Sequence, residues 1–294
     1  PFSQVFFPGL AKYHMMDGSI LVLISSIAFI GFLIVDQPWK KYCAVAGWVS
    51  IVSYLYTEIP YYISINNFLY PIIALLSVPF LAITIKLLVA EDPVVYRLTR
   101  AAAVAFVIFA PFAYVEPLNR WMISTVTSQV ISLLSFAGFP AVLEGWNMIL
   151  RNGFRVEIIL ACTGIQSIAI MLGVAGAVPT TVRQKLLAFM MVAPVIYVLN
   201  MVRNLFVVVA YTEQWFPYLP EIASNGEYGY ESFFWAHNVM SELMALVALI
   251  AIAYSLFVLI PDLGAFAEDL LGTYAGEIRR VAGKDKRYAE LRRY

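Results

Sequence analysis

Three side chains in this sequence have the chemistry of a nucleophilic acyl transfer. Cys162 lies in Ala161-Cys162-Thr163-Gly164-Ile165, where extended-looking apolar residues run into a hydrophobic helix. A thiol is mostly protonated at neutral pH, and a neighbouring imidazole or cation raises its thiolate fraction. Arg203 stands inside another apolar segment, where a guanidinium is costly and faces a cavity, a partner or the headgroups. It stays charged and can stabilise a tetrahedral oxyanion. His237, in a third apolar segment, can take the thiol proton and return it to a leaving amine.

Each residue also has a plain structural role open to it. Most membrane cysteines pack as small apolar groups. Arg203 can snorkel to headgroups, and His237 can be a hydrogen-bonded interfacial residue. Around the three stand Thr163 and the amides near Gly164 as possible further donors. Gln166 is one turn along from Cys162, and Asn200 and Asn204 flank Arg203. Asn238 follows His237, and Glu242 is placed to pair with Arg203 or to satisfy a helix contact.

The elements that must carry these residues are membrane helices. The chain of 294 residues is 62% hydrophobic and 13% charged, whereas soluble domains are roughly half apolar and about a quarter charged. Several apolar windows have the length needed to cross a bilayer. The expected fold is an all-α polytopic membrane protein with about seven transmembrane helices, at 19–35, 42–57, 69–89, 101–118, 157–178, 186–211 and 232–260. Residues 119–139 predict an amphipathic interfacial helix, and 140–159 a small β-hairpin feeding the fifth span. No basic leading region of a cleavable signal is apparent.

The corresponding organisation is a four-span region over 1–118 and an extracytoplasmic amphipathic helix and hairpin over 119–156. A three-span core over 157–260 follows, then a basic cytoplasmic tail over 261–294. The tail has seven Lys and Arg in its last 16 residues, as a plain anchor or a contact to anionic headgroups. The loop 212–231 has four glutamates and no basic residue; it is a lid or a solvated connection.

Charge sets the orientation. With seven spans, one side holds 14 of the 19 Lys and Arg, and basic residues mark the cytoplasm. The N-terminus is then outside and the C-terminus inside. At about 1.5 Å per residue, Cys162 lies roughly 7 Å below the start of its span and Arg203 roughly 25 Å up from the inner end of its own. His237 falls at the depth of Cys162, so three separate segments bring Cys, Arg and His to one level near the outer face. A net charge of zero implies no nucleic-acid partner. Two cysteines make no disulfide framework, and Cys43, after Lys40-Lys41, belongs at the opposite face.

At these residues the chain resembles the exosortase/archaeosortase family of multi-pass membrane transpeptidases, most of all its archaeosortase branch. The resemblance rests on Ala161-Cys162-Thr163-Gly164-Ile165, on Leu199-Asn200-Met201-Val202-Arg203-Asn204 and on Ala236-His237-Asn238, in the family's order. It covers roughly 126–260. It implies Cys162 as nucleophile of a cysteine protease-transpeptidase, Arg203 as electrostatic stabiliser and His237 as third catalytic member, with no cofactor and no metal.

The implied partners are exported surface glycoproteins whose C-terminal signal has a short motif (Pro-Gly-Phe in the archaeosortase branch), a transmembrane helix and a basic cluster. A membrane lipid is the implied acyl acceptor. Two other readings stay open from the residues. One is a membrane cysteine protease that releases its substrate without ligation. The other is a transporter or channel lined by Arg203, Glu242 and Gln166, which would place polar residues at the midplane rather than near one surface.

Overall fold

Long apolar runs with few charges dictate the architecture, because a backbone surrounded by hydrocarbon must satisfy its own hydrogen bonds as helix. The computed structural model describes residues 8–64 and 67–281; the last five basic residues of the tail, from Lys284 onward, lie outside them. The chain begins with α1 (Pro8–Ile34), α2 (Trp39–Thr57), the short α3 (Ile59–Ser64), α4 (Leu69–Val89), α5 (Pro93–Tyr114) and α6 (Glu116–Phe136). Three strands follow: β1 (Val142–Glu144), β2 (Met148–Arg151) and β3 (Phe154–Glu157). A 3₁₀ turn, Leu160–Thr163, leads into α7 (Ile165–Ala175), and α8 (Val182–Thr212) returns beside it. Beyond lie α9 (Pro220–Ala223), α10 (Tyr230–Phe233), a π-helical segment Phe234–Ser241, α11 (Glu242–Leu259) and α12 (Pro261–Val281).

Four helical stretches among the described residues have the length and apolarity to cross a membrane: Leu69–Val89, Pro93–Tyr114, Val182–Thr212 and Tyr230–Leu259. Ile20–Ile34 and Ile165–Ala175 are apolar but shorter. The chain is therefore a membrane protein. The largest departure from the expected spans is at 157–178. There the chain is first a strand, then a tight turn, and only then an 11-residue helix, about 16 Å long and half a bilayer deep. Apolar content alone cannot tell a buried strand from a helix. The fourth expected span also begins earlier, at Pro93, because Asp92 caps it by accepting from the amides of Val94 and Val95.

Where a two-stranded hairpin is expected, the structure has three antiparallel strands in the order β1-β2-β3, with Leu150 opposite both Val142 and Arg155. Asn152 and Gly153 both take positive φ, 48° and 83°, the two-residue turn that an Asn-Gly pair favours. One face of the sheet packs Ile149 and Val156 into a cluster with Val126, Val130 and Leu134 of α6 and Met201 and Val208 of α8.

Two other clusters complete the interior. One joins α7, the first half of α8, α11 and α12 through Ile168, Val192, Leu256 and Phe266. The other joins α1, α2, α4 and α5 through Phe29, Ala44, Leu88 and Val95. Gly173 lets α7 lie on α5, since a Cβ there would stand 2.9 Å from Ala105 Cβ, the close approach that small residues permit between membrane helices. The faces left outward on α4 and α11 are apolar, Leu75, Leu76, Val247 and Ile250 among them, as a hydrocarbon surrounding requires.

Candidate active site

The site is assembled on one face of α8. Asn200, Arg203 and Asn204 are spaced by three and four residues, so they stand on one side of the helix. Both Asn200 and Asn204 donate a side-chain amide to the same acceptor, the carbonyl oxygen of Cys162, at 2.7 and 2.8 Å. The carbonyl of the central turn residue is thereby satisfied, and the turn is fastened to α8. Both asparagines are buried, at 9% and 4% exposure. Losing either donor costs about 1 kcal/mol, and losing both leaves a carbonyl unpaired for about 1–3 kcal/mol.

Gly164 makes this approach possible. Its φ is +79°, left-handed backbone where glycine is at ease, and a Cβ there would stand 3.2 Å from Asn200 Cβ. Thr163 is 1% exposed; its hydroxyl donates to the carbonyl of Leu160 at 2.7 Å. It serves the turn internally. On the other side the turn is tied to the sheet. Ile158 donates its amide to the carbonyl of Asn147 at 2.8 Å, and Asn147 donates its side-chain amide to the carbonyl of Ile158 at 3.0 Å and to Glu157 at 3.1 Å. Cys162 itself packs against the α6–sheet–α8 cluster, and both cysteines are free thiols.

Arg203 and His237 meet directly: a guanidinium nitrogen stands 3.2 Å from His237 Nε2. Since a guanidinium only donates, Nε2 accepts and the ring proton sits on Nδ1. That nitrogen lies 2.8 Å from Asn238 Oδ1 and donates to it. Phe233 stacks on the imidazole, centroids 4.8 Å apart and planes 14° from parallel. His237 falls in the π-helical segment Phe234–Ser241, a local widening found often at functional sites. Arg203 also acts electrostatically on Cys162. Among the described residues no hydrogen bond joins the Cys162 thiol to His237. In this state Arg203 occupies the nitrogen that a proton transfer would use.

Of the other residues singled out in the sequence, Glu242 accepts from the Asn67 side-chain amide at 3.2 Å and feels Arg203 through space. Gln166 is exposed, and the polar side chain turned inward on its helix is Ser167. Ser167 lines a cavity of about 110 Å³ with Gly164, Arg203 and Ser241. Among the described residues nothing satisfies two buried polar atoms here, Ser241 Oγ and Asn238 Nδ2.

Sequence reading missed Asn67, Asn147, Arg151 and Ser241. Arg151 is 9% exposed. It donates to the Thr212 hydroxyl at 2.6 Å, pairs with Glu213 and lies over the Phe139 ring at 5.2 Å. It thus clamps the β2–β3 turn to the end of α8. Its placement on an inward strand position next to Asn-Gly was a usable signal; Asn67 and Ser241 had none, because the Asn67 partner lies 175 residues away and Ser241 has no side-chain partner among the described residues. The loop 212–231 is folded back rather than loose. Gln214 donates to the Gly229 carbonyl at 3.1 Å, and Trp235 to the Tyr218 carbonyl at 2.8 Å.

The family model for transmembrane exosortases matches residues 16–254. Archaeosortase A of Haloferax volcanii is 27% identical over 281 residues, covering 85% of this chain and 91% of the relative. Archaeosortase A of Natronomonas pharaonis is 28% identical over 286 residues, covering 89% and 91%. No solved structure matches.

Proposed function

The chain belongs to the transmembrane exosortase family, and from that premise we propose that it is a membrane cysteine transpeptidase resembling archaeosortase A. Cys162 attacks a carbonyl in the C-terminal signal of an exported surface protein. That signal is a Pro-Gly-Phe motif, a transmembrane helix and a basic cluster. The acyl group passes to the thiol, and the segment beyond the cut leaves as an amine. A lipid nucleophile then attacks the thioester and carries the new carboxyl end. The reading is supported most by one observation: Asn200 and Asn204 fasten the Cys162 turn to the same helix face that presents Arg203.

In this reading Arg203 shifts between two partners. At rest it donates to His237 Nε2. As negative charge develops at the thiol or the carbonyl oxygen it turns to that charge, and the released Nε2 takes the thiol proton and passes it to the leaving amine. The unpaired Asn238 amide is a further donor for the oxyanion. The distribution of Lys and Arg supports an N-terminus outside, a C-terminus in the cytoplasm and a site facing outward.

The test is a reporter carrying the full C-terminal signal, incubated with the full-length enzyme in lipid vesicles, with mass spectrometry of the new C-terminus. A lipid adduct that depends on Cys162 is the expected product. A free carboxyl end would favour a releasing protease, and processing that persists in Cys162→Ala sinks both.

A further inference from the structure

The short α7 leaves space beneath it. The helix stops at Ala175, and the chain turns through Gly176–Thr181 to start α8. Between the end of α7, the first turns of α8 and the facing part of α5 lies a cavity of about 350 Å³. It is distant from Cys162: along α8 it borders Lys185–Phe189, whereas the site uses Asn200–Asn204, about 22 Å farther on. Val104, Leu172, Val178 and Phe189 supply apolar wall, and the polar side chains at its rim are Arg100, Lys185 and Thr180.

Among the described residues no acidic side chain lines this cavity, and neither Arg100 nor Lys185 takes part in an ion pair. Both are exposed. Lys185 and Arg183 moreover stand in the first turn of α8, which has no acidic residue. A helix N-terminus carries partial positive charge and is normally matched by acids; here cations are added to it. The surplus positive potential calls for an anion at the mouth. The apolar walls call for hydrocarbon within, and the rim continues into Leu186 and Met190, which are 63% and 61% exposed on a helix of membrane-spanning length.

We propose that this cavity binds an anionic phospholipid of the leaflet opposite the Cys162 end, phosphate between Arg100 and Lys185 and one acyl chain along Phe189 and Leu172. The bound chain completes the depth that α7 does not fill. This goes beyond the transpeptidase reading and does not depend on it.

The experiment uses the full-length protein in detergent, with binding of phosphatidylglycerol followed by native mass spectrometry and by the shift in Tm. Arg100→Gln and Lys185→Gln are each expected to weaken binding about fivefold, and the double variant roughly 25-fold; both positions are exposed, so folding is spared. Ala175→Leu, which projects into the cavity, is expected to weaken lipid binding while leaving both cations. Equal binding of zwitterionic phosphatidylcholine, undiminished binding in the double variant, or the same Tm shift from inorganic phosphate alone would each overturn the assignment. Signal processing is not the readout, so either result leaves the Cys162 chemistry standing on its own evidence.

Discussion

Two stretches of α8, one in its second half and one at its start, treat positive charge in opposite ways. At 200–204 the guanidinium of Arg203 is held by a neutral imidazole, between two asparagines that hold the Cys162 turn. At 183–185 the cations are exposed. The neighbouring helix ends carry ordinary ion pairs, Lys86–Glu277 from α4 to α12 and Arg97–Asp269 at 3.9 Å from α5 to α12. A carboxylate partner cancels a cation's field, whereas a neutral acceptor fixes its position and leaves the field available to a developing anion. Positioning by amides and imidazole suits a reacting centre, and pairing by carboxylates suits docking of one helix on another.

The contrast can be broken first at the thiol. Cys162→Ala is expected to lower signal processing by about a thousandfold or more with Tm unchanged, whereas Cys43→Ala, packed beside Gly31 in the α1–α2 contact, leaves the rate intact. A reporter-cleavage assay on both variants decides it. Next, Arg203→Lys keeps the charge but loses the planar fork, and a fall of about 10²–10³-fold in turnover is expected. Lysine at full activity would mean that charge alone matters.

The asparagines come third. Asn200→Ala and Asn204→Ala singly are each expected to cost about 1 kcal/mol in denaturant unfolding, and the pair more than the sum, because only the double variant orphans the Cys162 carbonyl. Strict additivity would show that the two amides do not share that acceptor. The smallest effect belongs to the carboxylate pairs that dock α12. Hydrogen bonding from Lys86 holds the Glu277 carboxyl below its ordinary value of 4.5. Its contribution is therefore present in full above that pH and is lost as pH falls through the lowered value. Hydrogen exchange of α12 against pH should show loosening only on strong acidification, and Glu277→Gln should remove the dependence.

How much of this was legible depended on the kind of signal. The span expected at 69–89 coincides with α4, since a predominantly apolar run of 21 residues has one stable state in a membrane. The segment expected at 157–178 did not survive as one helix. Its first residue, Glu157, ends an edge strand whose partner, 148–151, comes from outside the window. Cys162, Arg203 and His237 stood out by type and by depth, but depth is a single coordinate. It carries no angle about the helix axis, so the Arg203–His237 contact and the outward turn of Gln166 lay beyond it.

From its sequence alone the chain is a helical membrane protein with a thiol, a guanidinium and an imidazole on three apolar segments, because hydropathy and residue chemistry are local properties. The tertiary structure decided that two asparagine amides converge on the Cys162 carbonyl, that Gly164 admits them, that Arg203 rests on His237, and that a short α7 leaves a cationic cavity beneath it. Each depends on the rotation and approach of helices that meet only when the chain packs, through contacts spanning tens of residues. Hydrogen bonds of about 3 Å are sensitive to displacements that no pattern of hydrophobicity records.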